Sequence, residues 1–228
     1  MKFLLLHGLA GDPTNWVETS YILKECGHKC FIPEIHYFNS NFSSIPDLAA
    51  NILNNIPNNF LNEDTIVVGN SLGGSIALSL GENYSKIILV ASYAKTSIPG
   101  MGLKLTTFAQ ELSRIFHYPN KLTKNQRNTY EKLWENITSR DNIPRLNRIK
   151  RAALSFDDEQ YYQKLHHKLQ FICGGNDQVS PLEYFNDLKL RYPSIELFTI
   201  PDCGHAIPVE KPQELANYII MSTEKKYA

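Results

Sequence analysis

Thr65-Ile-Val-Val-Gly-Asn-Ser-Leu-Gly-Gly-Ser-Ile-Ala-Leu-Ser-Leu80 decides how the rest of the chain is read. A β-branched apolar run, Ile66 to Val68, meets a serine set between glycines, and apolar residues resume at helical spacing from Ile76 to Leu80. Gly69-Asn70-Ser71-Leu72-Gly73 fits G-x-S-x-G, in which small residues two places either side of the serine let the backbone turn sharply from strand to helix. Such a turn holds the hydroxyl clear of the sheet, which makes Ser71 a candidate nucleophile. On its own the pattern also describes a Gly/Ser-rich turn capping an ordinary helix. The strand before it and the helix after it favour the sharp elbow.

Working outward, Lys2 to Leu6 is a short apolar run without alternation, as expected of a strand buried on both faces, and it ends at His7-Gly8. Trp16 to Cys26 predicts a helix stopped by Gly27, Lys29 to Pro33 a second strand, and Pro46 to Ile56 another helix. Downstream, Lys86 to Ala91, Leu169 to Cys173 and Ile195 to Ile200 read as strands, and Ser180-Pro-Leu-Glu183 has the capping-box pattern of a helix start. This alternation implies an α/β fold with a mostly parallel sheet, helices on both faces and ligands at the carboxyl ends of the strands. Met101 to Phe116, Thr123 to Ile137, Pro144 to Leu154 and Asp157 to His166 break the rhythm as four helices with no strand among them, and Thr123-Lys-Asn-Gln126 is a second capping box. The expected division is a core of residues 1–94 and 167–228, with 95–166 inserted as a helical cap over the ligand crevice.

The 228 residues suffice for one sizeable core, and 43% hydrophobic with 20% charged residues is ordinary for a soluble globular protein. Lys plus Arg and Asp plus Glu balance at 23 each, so no overall field favours nucleic acid or a membrane surface. Met1-Lys-Phe-Leu-Leu-Leu6 is too short for the apolar core of a signal peptide, and no stretch reaches the roughly 18 apolar residues of a membrane span. Cys26, Cys30, Cys173 and Cys203 lack zinc-ligand spacing and are sparse for a disulfide scaffold. A cytoplasmic protein with reduced thiols is the expectation. The Glu-Lys-Lys-Tyr-Ala ending is expected to be solvated.

A serine hydroxyl attacks well at neutral pH only with a base in hydrogen-bond reach, itself oriented by a third group. His205 sits in Pro201-Asp-Cys-Gly-His-Ala-Ile-Pro208, just past the last strand and so on the same sheet edge as Ser71. His28, His36, His117, His166 and His167 lack that placement. Asp177, in Cys173-Gly-Gly-Asn-Asp-Gln-Val-Ser-Pro181, also follows a strand and is the candidate acid that would accept the imidazole N–H; Asp202 is the alternative. An oxyanion needs preorganised N–H donors, and Leu72 after the serine and Leu9 after the first strand are the candidates.

On these residues the chain resembles the α/β-hydrolases. H-G-x-x-G-x-x-x-x-W is matched by His7, Gly8, Gly11 and Trp16, the elbow by Gly69, Ser71, Gly73 and Gly74, the acid loop by Gly174 and Asp177, and the last loop by Gly204-His205. The resemblance spans residues 1 to 94 and about 167 to 220, and implies substrate contacts for Trp16 and Asn70. Two departures stand out. The usual D-x-P-G-x-G-x-S turn after the second strand is replaced by Pro33-Glu-Ile-His-Tyr-Phe-Asn39, and the antiparallel strands that usually precede the HG strand are absent, so about six strands are expected. The elbow with a four-helix cap is similar both to carboxylesterases, among them the biotin-pathway enzyme that demethylates a pimeloyl ester on acyl carrier protein, and to carbon-carbon hydrolases of the meta-cleavage type. The second lineage usually carries W-G-x-x-D where this chain has Cys173-Gly-Gly-Asn-Asp177. Thioesterases, lactonases and non-catalytic binding proteins of the fold remain alternatives. Arg140, Arg145, Arg148, Lys150 and Arg151 cluster around Pro144, with Leu146, Ile149 and Ala153 spaced to face inward; the basic stripe would suit an acidic carrier protein or be a solvated helix face. The resemblance calls for no metal or organic cofactor. Phe108, Phe116, Tyr130 and Trp134 are expected to form the cap's own core or to line an acyl pocket.

Overall fold

The computed structural model describes residues 1–9, 11–92 and 107–224. Its centre is a six-stranded parallel sheet: β1 (Lys2–Leu6), β2 (Lys29–Phe31), β3 (Thr65–Asn70), β4 (Lys86–Val90), β5 (Leu169–Gly174) and β6 (Glu196–Ile200), in the order β2-β1-β3-β4-β5-β6. In the middle of the sheet Leu4 aligns with Val67, and Val67 in turn with Ile87. Period-two alternation splits each central strand between two cores. On one face Leu4, Leu6, Val67, Ile87, Leu89 and Phe171 pack against α2 (Ile45–Leu53), α3 (Leu72–Leu80) and α8 (Leu182–Arg191). On the other, Phe3, Leu5, Val68, Ile88, Val90 and Ile172 meet α1 (Val17–Glu25) and α10 (Pro212–Glu224).

Among the described residues between β4 and β5 lie four α-helices: α4 (Phe108–Ile115), α5 (Lys124–Thr138), α6 (Ile143–Leu154) and α7 (Glu159–Leu165). The Thr123 and Gln126 side chains form the expected capping box, and Thr107 with Gln110 forms another ahead of α4. Of the expected helix from Met101, residues 101–106 lie outside the described residues, as do position 95 and the chain end from 225. The turn Ile207–Glu210 (α9) leads into α10, whose Leu215, Ala216 and Ile219 recur at helical spacing under a Pro212 start.

Several boundaries move for identifiable reasons. Trp16 belongs to a tight 3₁₀ turn, Pro13–Trp16, capped by the Asp12 carboxylate, so α1 begins one residue later. β2 stops at Phe31, two residues short of Pro33, which has no N–H to offer a ladder. The Ser180 capping box does not form: α8 starts after Pro181, and the Ser180 amide donates instead to Asp177 Oδ1.

Candidate active site

Four loops leave the carboxyl ends of β1, β3, β5 and β6 on one edge of the sheet and carry His7 to Leu9, Ser71, Asp177 and His205. At the β3 exit Ser71 adopts φ 52°, a left-handed value costly for a residue with a Cβ. Hydrogen bonds hold it there: its amide donates to Val90 O at 3.0 Å, and its carbonyl accepts from the Gly74 amide and the Ser92 hydroxyl at 2.8 and 2.7 Å. The flanking glycines are sites of close approach. A Cβ on Gly69 would lie 2.2 Å from Gly73 O, and one on Gly73 would lie 2.4 Å from Leu6 O.

Ser71, His205 and Asp177 stand in one line. His205 Nε2 is 2.9 Å from Ser71 Oγ, and His205 Nδ1 donates to Asp177 Oδ2 at 2.9 Å. The Asp177 side chain is fully buried, and its other oxygen accepts from the amides of Val179 and Ser180 at 2.7 and 2.9 Å. With Nδ1 holding its proton toward the carboxylate, Nε2 is left as the acceptor for the serine hydroxyl. Asp202, the alternative acid, is exposed and lies 3.8 Å from His117.

Leu9 and Leu72 flank Ser71 in the lining of a mainly apolar cavity of about 240 Å³. The Leu9 turn is closed by the Gly11 amide donating to Gly8 O at 3.2 Å. His7 braces its base: Nδ1 donates to Gly8 O and Nε2 accepts from the Ile35 amide, both at 3.0 Å, while the Tyr37 hydroxyl donates to His7 O at 2.6 Å. Burial lowers the His7 pKa, in keeping with this neutral tautomer. The Pro33–Asn39 segment, which departs from the family pattern, thus supports the β1 loop through two of its residues.

The remaining expected residues separate. Asn70 lines the cavity, though its amide nitrogen is spent on Val90 O at 3.1 Å. Trp16 does not line the cavity: it is fully buried, in the apolar cluster that also holds Phe3, Leu5 and Leu23. The residues of the basic stripe also part ways. Arg140, Arg145 and Arg151 are exposed, but Lys150 lines the cavity, and Arg148 turns inward to donate to Ser40 O at 2.8 Å with its guanidinium 4.9 Å over the Phe42 ring. Ala152 rather than Ala153 is the fully buried alanine of α6, and Ala153 faces the cavity.

The sequence reading missed part of the cavity wall. Glu111, Arg114 and Ile115 of α4 line the same cavity as Ser71; Arg114 grips the Glu111 carboxylate through Nε at 3.0 Å and Nη2 at 2.7 Å, an i, i+3 pair visible in the sequence. Tyr130, expected among the cap aromatics, lines the cavity too, as does Asn15. Phe108, Tyr130 and Trp134 line a smaller cavity of about 40 Å³ between α4 and α5, and Phe116 is buried against Tyr130. Among the described residues no cluster of His, Cys, Asp and Glu is arranged to hold a metal ion, and no helix is long and apolar enough to cross a membrane.

The parallel sheet of this order, with a sharp strand-to-helix turn carrying Ser71 at the exit of β3, defines the class as the α/β-hydrolase fold. Residues 3–218 match the model of the alpha/beta hydrolase family, and the chain belongs to that family. Among curated proteins it is 22% identical over 178 residues to the uncharacterized hydrolase YugF of Bacillus subtilis (strain 168), an alignment covering 69% of this chain and 64% of that protein's length. Among solved structures it superimposes on a putative lipase from Acinetobacter baumannii AYE (TM-score 0.78, 20% identity, 98% of this chain and 83% of the other). A thermophilic esterase from Thermogutta terrifontis also aligns (0.76, 18%, 100% and 91%), as does a 2-hydroxy-6-oxo-6-phenylhexa-2,4-dienoate hydrolase from Rhodococcus sp. strain RHA1 (0.76, 18%, 98% and 90%). At these identities the likeness is one of fold.

Proposed function

We propose that the protein is a serine carboxylesterase acting on an ester with an apolar acyl group. The observation that carries the reading is the 2.9 Å and 2.9 Å relay from Ser71 through His205 to Asp177, opening onto an apolar cavity large enough for an acyl chain. Ser71 Oγ attacks the ester carbonyl carbon as His205 Nε2 takes its proton, and Asp177 stabilises the imidazolium that forms. The oxyanion is met by the amide of Leu72, which as the first residue of α3 has no acceptor within its own helix, and by that of Leu9. His205 returns the proton to the departing alkoxide, which leaves as the alcohol. Water, deprotonated by the same nitrogen, then cleaves the acyl-enzyme and frees the acid. None of these steps draws on a cofactor.

The cap reading assigns α4 to α7 the role of roof, supported by the residues of α4, α5 and α6 in the cavity wall. The finer reading, a carrier-bound substrate such as the methyl ester of pimeloyl-acyl carrier protein, is supported by the exposure of Arg140, Arg145 and Arg151 beside that roof.

The test is steady-state hydrolysis of p-nitrophenyl esters from acetyl to decanoyl, wild type against Ser71→Ala. Multiple turnovers with an optimum at intermediate chain length, lost in the alanine variant, are expected. Turnover of none of them by the wild type would remove the esterase reading. For the carrier, Arg145→Glu with Arg151→Glu should slow carrier-bound esters and spare free ones; equal effects on both would refute it.

A further inference from the structure

Glu210, the last residue of α9, stands outside the serine-histidine-aspartate line, yet two distant parts of the chain meet at its carboxylate. Oε2 accepts from the amide of Gly204, the residue before His205, at 2.7 Å. Oε1 accepts from the amide of His117, two residues beyond α4, at 2.6 Å. The same segments are tied a second time by backbone alone: Ile115 O accepts from the amides of His205 at 2.7 Å and Ala206 at 3.2 Å. There is no slack between them, for a Cβ on Gly204 would lie 2.6 Å from Ile115 O and 2.7 Å from His117 N. Leu112, Phe116 and Ala206 close an apolar seam along the junction, with Ile115 and Val209 packed against it.

The chemistry of the clamp requires a carboxylate. Two N–H donors converge from different segments in charge-assisted bonds, Gly204 on Oε2 and His117 chiefly on Oε1, with a longer 3.3 Å contact to Oε2. A glutamine would offer one acceptor and turn its NH₂ toward the other donor, and an aspartate is one methylene too short to span both. On the far side of the junction, Glu111, Arg114 and Ile115 of α4 line the cavity in front of Ser71. A group seated in that cavity therefore presses on the helix to which the histidine loop is bolted.

We propose that Glu210 is a positioning residue that locks α4 to the His205 loop, so that the imidazole is held at Ser71 only while α4 is seated over the cavity. For what the histidine does there, this rests on the esterase reading above. The displacement at stake is small, and a misplacement of about 1 Å at a reacting group is enough to cost about 10²-fold in rate.

The test compares Glu210→Gln and Gly204→Ala with wild type and Ser71→Ala, well below each variant's Tm. Amide hydrogen exchange is followed at residues 115–117 and 203–206, alongside kcat and KM for p-nitrophenyl butyrate. Both variants are expected to speed exchange in the two segments together and to lower kcat by about 10- to 100-fold, with KM changed less than about 3-fold. Faster exchange in one segment alone, or kcat within about 2-fold of wild type in a folded variant, would overturn the proposal. If wild type shows no Ser71-dependent turnover, the esterase reading fails while the exchange arm still decides the clamp. If Glu210→Gln does not fold, Gly204→Ala, which wedges the same junction apart, carries both arms.

Discussion

Replacing Gly73 by alanine should damage catalysis far more than its single added methyl group suggests. Gly73 lies in the first turn of α3, against the end of β1, and its Cβ would stand 2.4 Å from Leu6 O and 2.6 Å from His7 O. Both obstacles are backbone atoms, one in the last residue of β1 and one in the residue after it, with no flexible side chain to swing aside. Restoring ordinary contact requires α3 and the β1 exit to part by about 1 Å. Those are the segments that carry the Leu72 and Leu9 amides, so the gap opens across the oxyanion site. Loss of one such donor typically costs about 10² to 10³ in kcat, and overpacking of a rigid site costs about 1–3 kcal/mol of stability. For a chain of this size that corresponds to a Tm lowered by about 2–12 °C. The assay is kcat and KM for p-nitrophenyl butyrate together with calorimetric Tm, and the expected result is a loss of about 10²-fold in kcat with KM changed only a few-fold. Gly27→Ala is the control: its φ of +80° makes the substitution strained, but nothing lies within 4 Å of the new Cβ and the site is remote, so Tm should fall and kcat should hold. A Gly73→Ala enzyme with kcat within about 3-fold of wild type at unchanged Tm would refute the reasoning.

Asp177→Asn should keep the loop folded through the retained carbonyl oxygen but lower kcat by about 10³- to 10⁴-fold, because the amide cannot hold His205 in the tautomer that leaves Nε2 free; pre-steady-state and steady-state ester hydrolysis check this. Asp158 is buried near the start of α7 with one oxygen unpartnered, and burial pushes its pKa up to about 6 from 3.8. The folded state thus holds this proton more firmly than the unfolded chain, and stability falls as pH rises from about 4 to about 6 by at most about 3 kcal/mol. Asp158→Asn should accordingly gain Tm relative to wild type over that window and keep the gain above it; a difference independent of pH would show the shift is absent. Arg148→Ala should lower stability by about 1–3 kcal/mol in denaturant unfolding by releasing Ser40 O and uncovering Phe42, whereas Arg145→Ala should change it by less than about 0.5 kcal/mol.

The elbow was legible in the sequence because its physics is local. A serine forced to φ 52° between a strand and a helix needs glycine at 69 and 73, and those needs leave a mark within five residues. The four inner strands, β1, β3, β4 and β5, were legible for a similar reason, since burial on both faces yields short uninterrupted apolar runs. What escaped depends on approaches between distant segments. A helical wheel places Arg148 on the basic side of α6, but only the fold brings Ser40 and Phe42 against that side. Ser180 has the spacing of a helix cap, yet its amide is taken by Asp177, which the orientation of His205 also employs. Trp16 matches a family position, but whether an aromatic ring faces a cavity or a core is settled by its neighbours across the sheet. Glu210 carries no local signature at all, because its two donors lie 6 and 93 residues away in the chain.

The most direct test of the central claim is to trap the covalent intermediate. Wild type, Ser71→Ala and His205→Ala are mixed with p-nitrophenyl butyrate, quenched in acid within the first turnover, and their intact and peptide masses measured. The account predicts a butyryl adduct on the peptide containing Ser71 in wild type, none in Ser71→Ala, and a strongly slowed appearance in His205→Ala. Sustained ester hydrolysis by Ser71→Ala, or a wild-type adduct on any other residue, would contradict it.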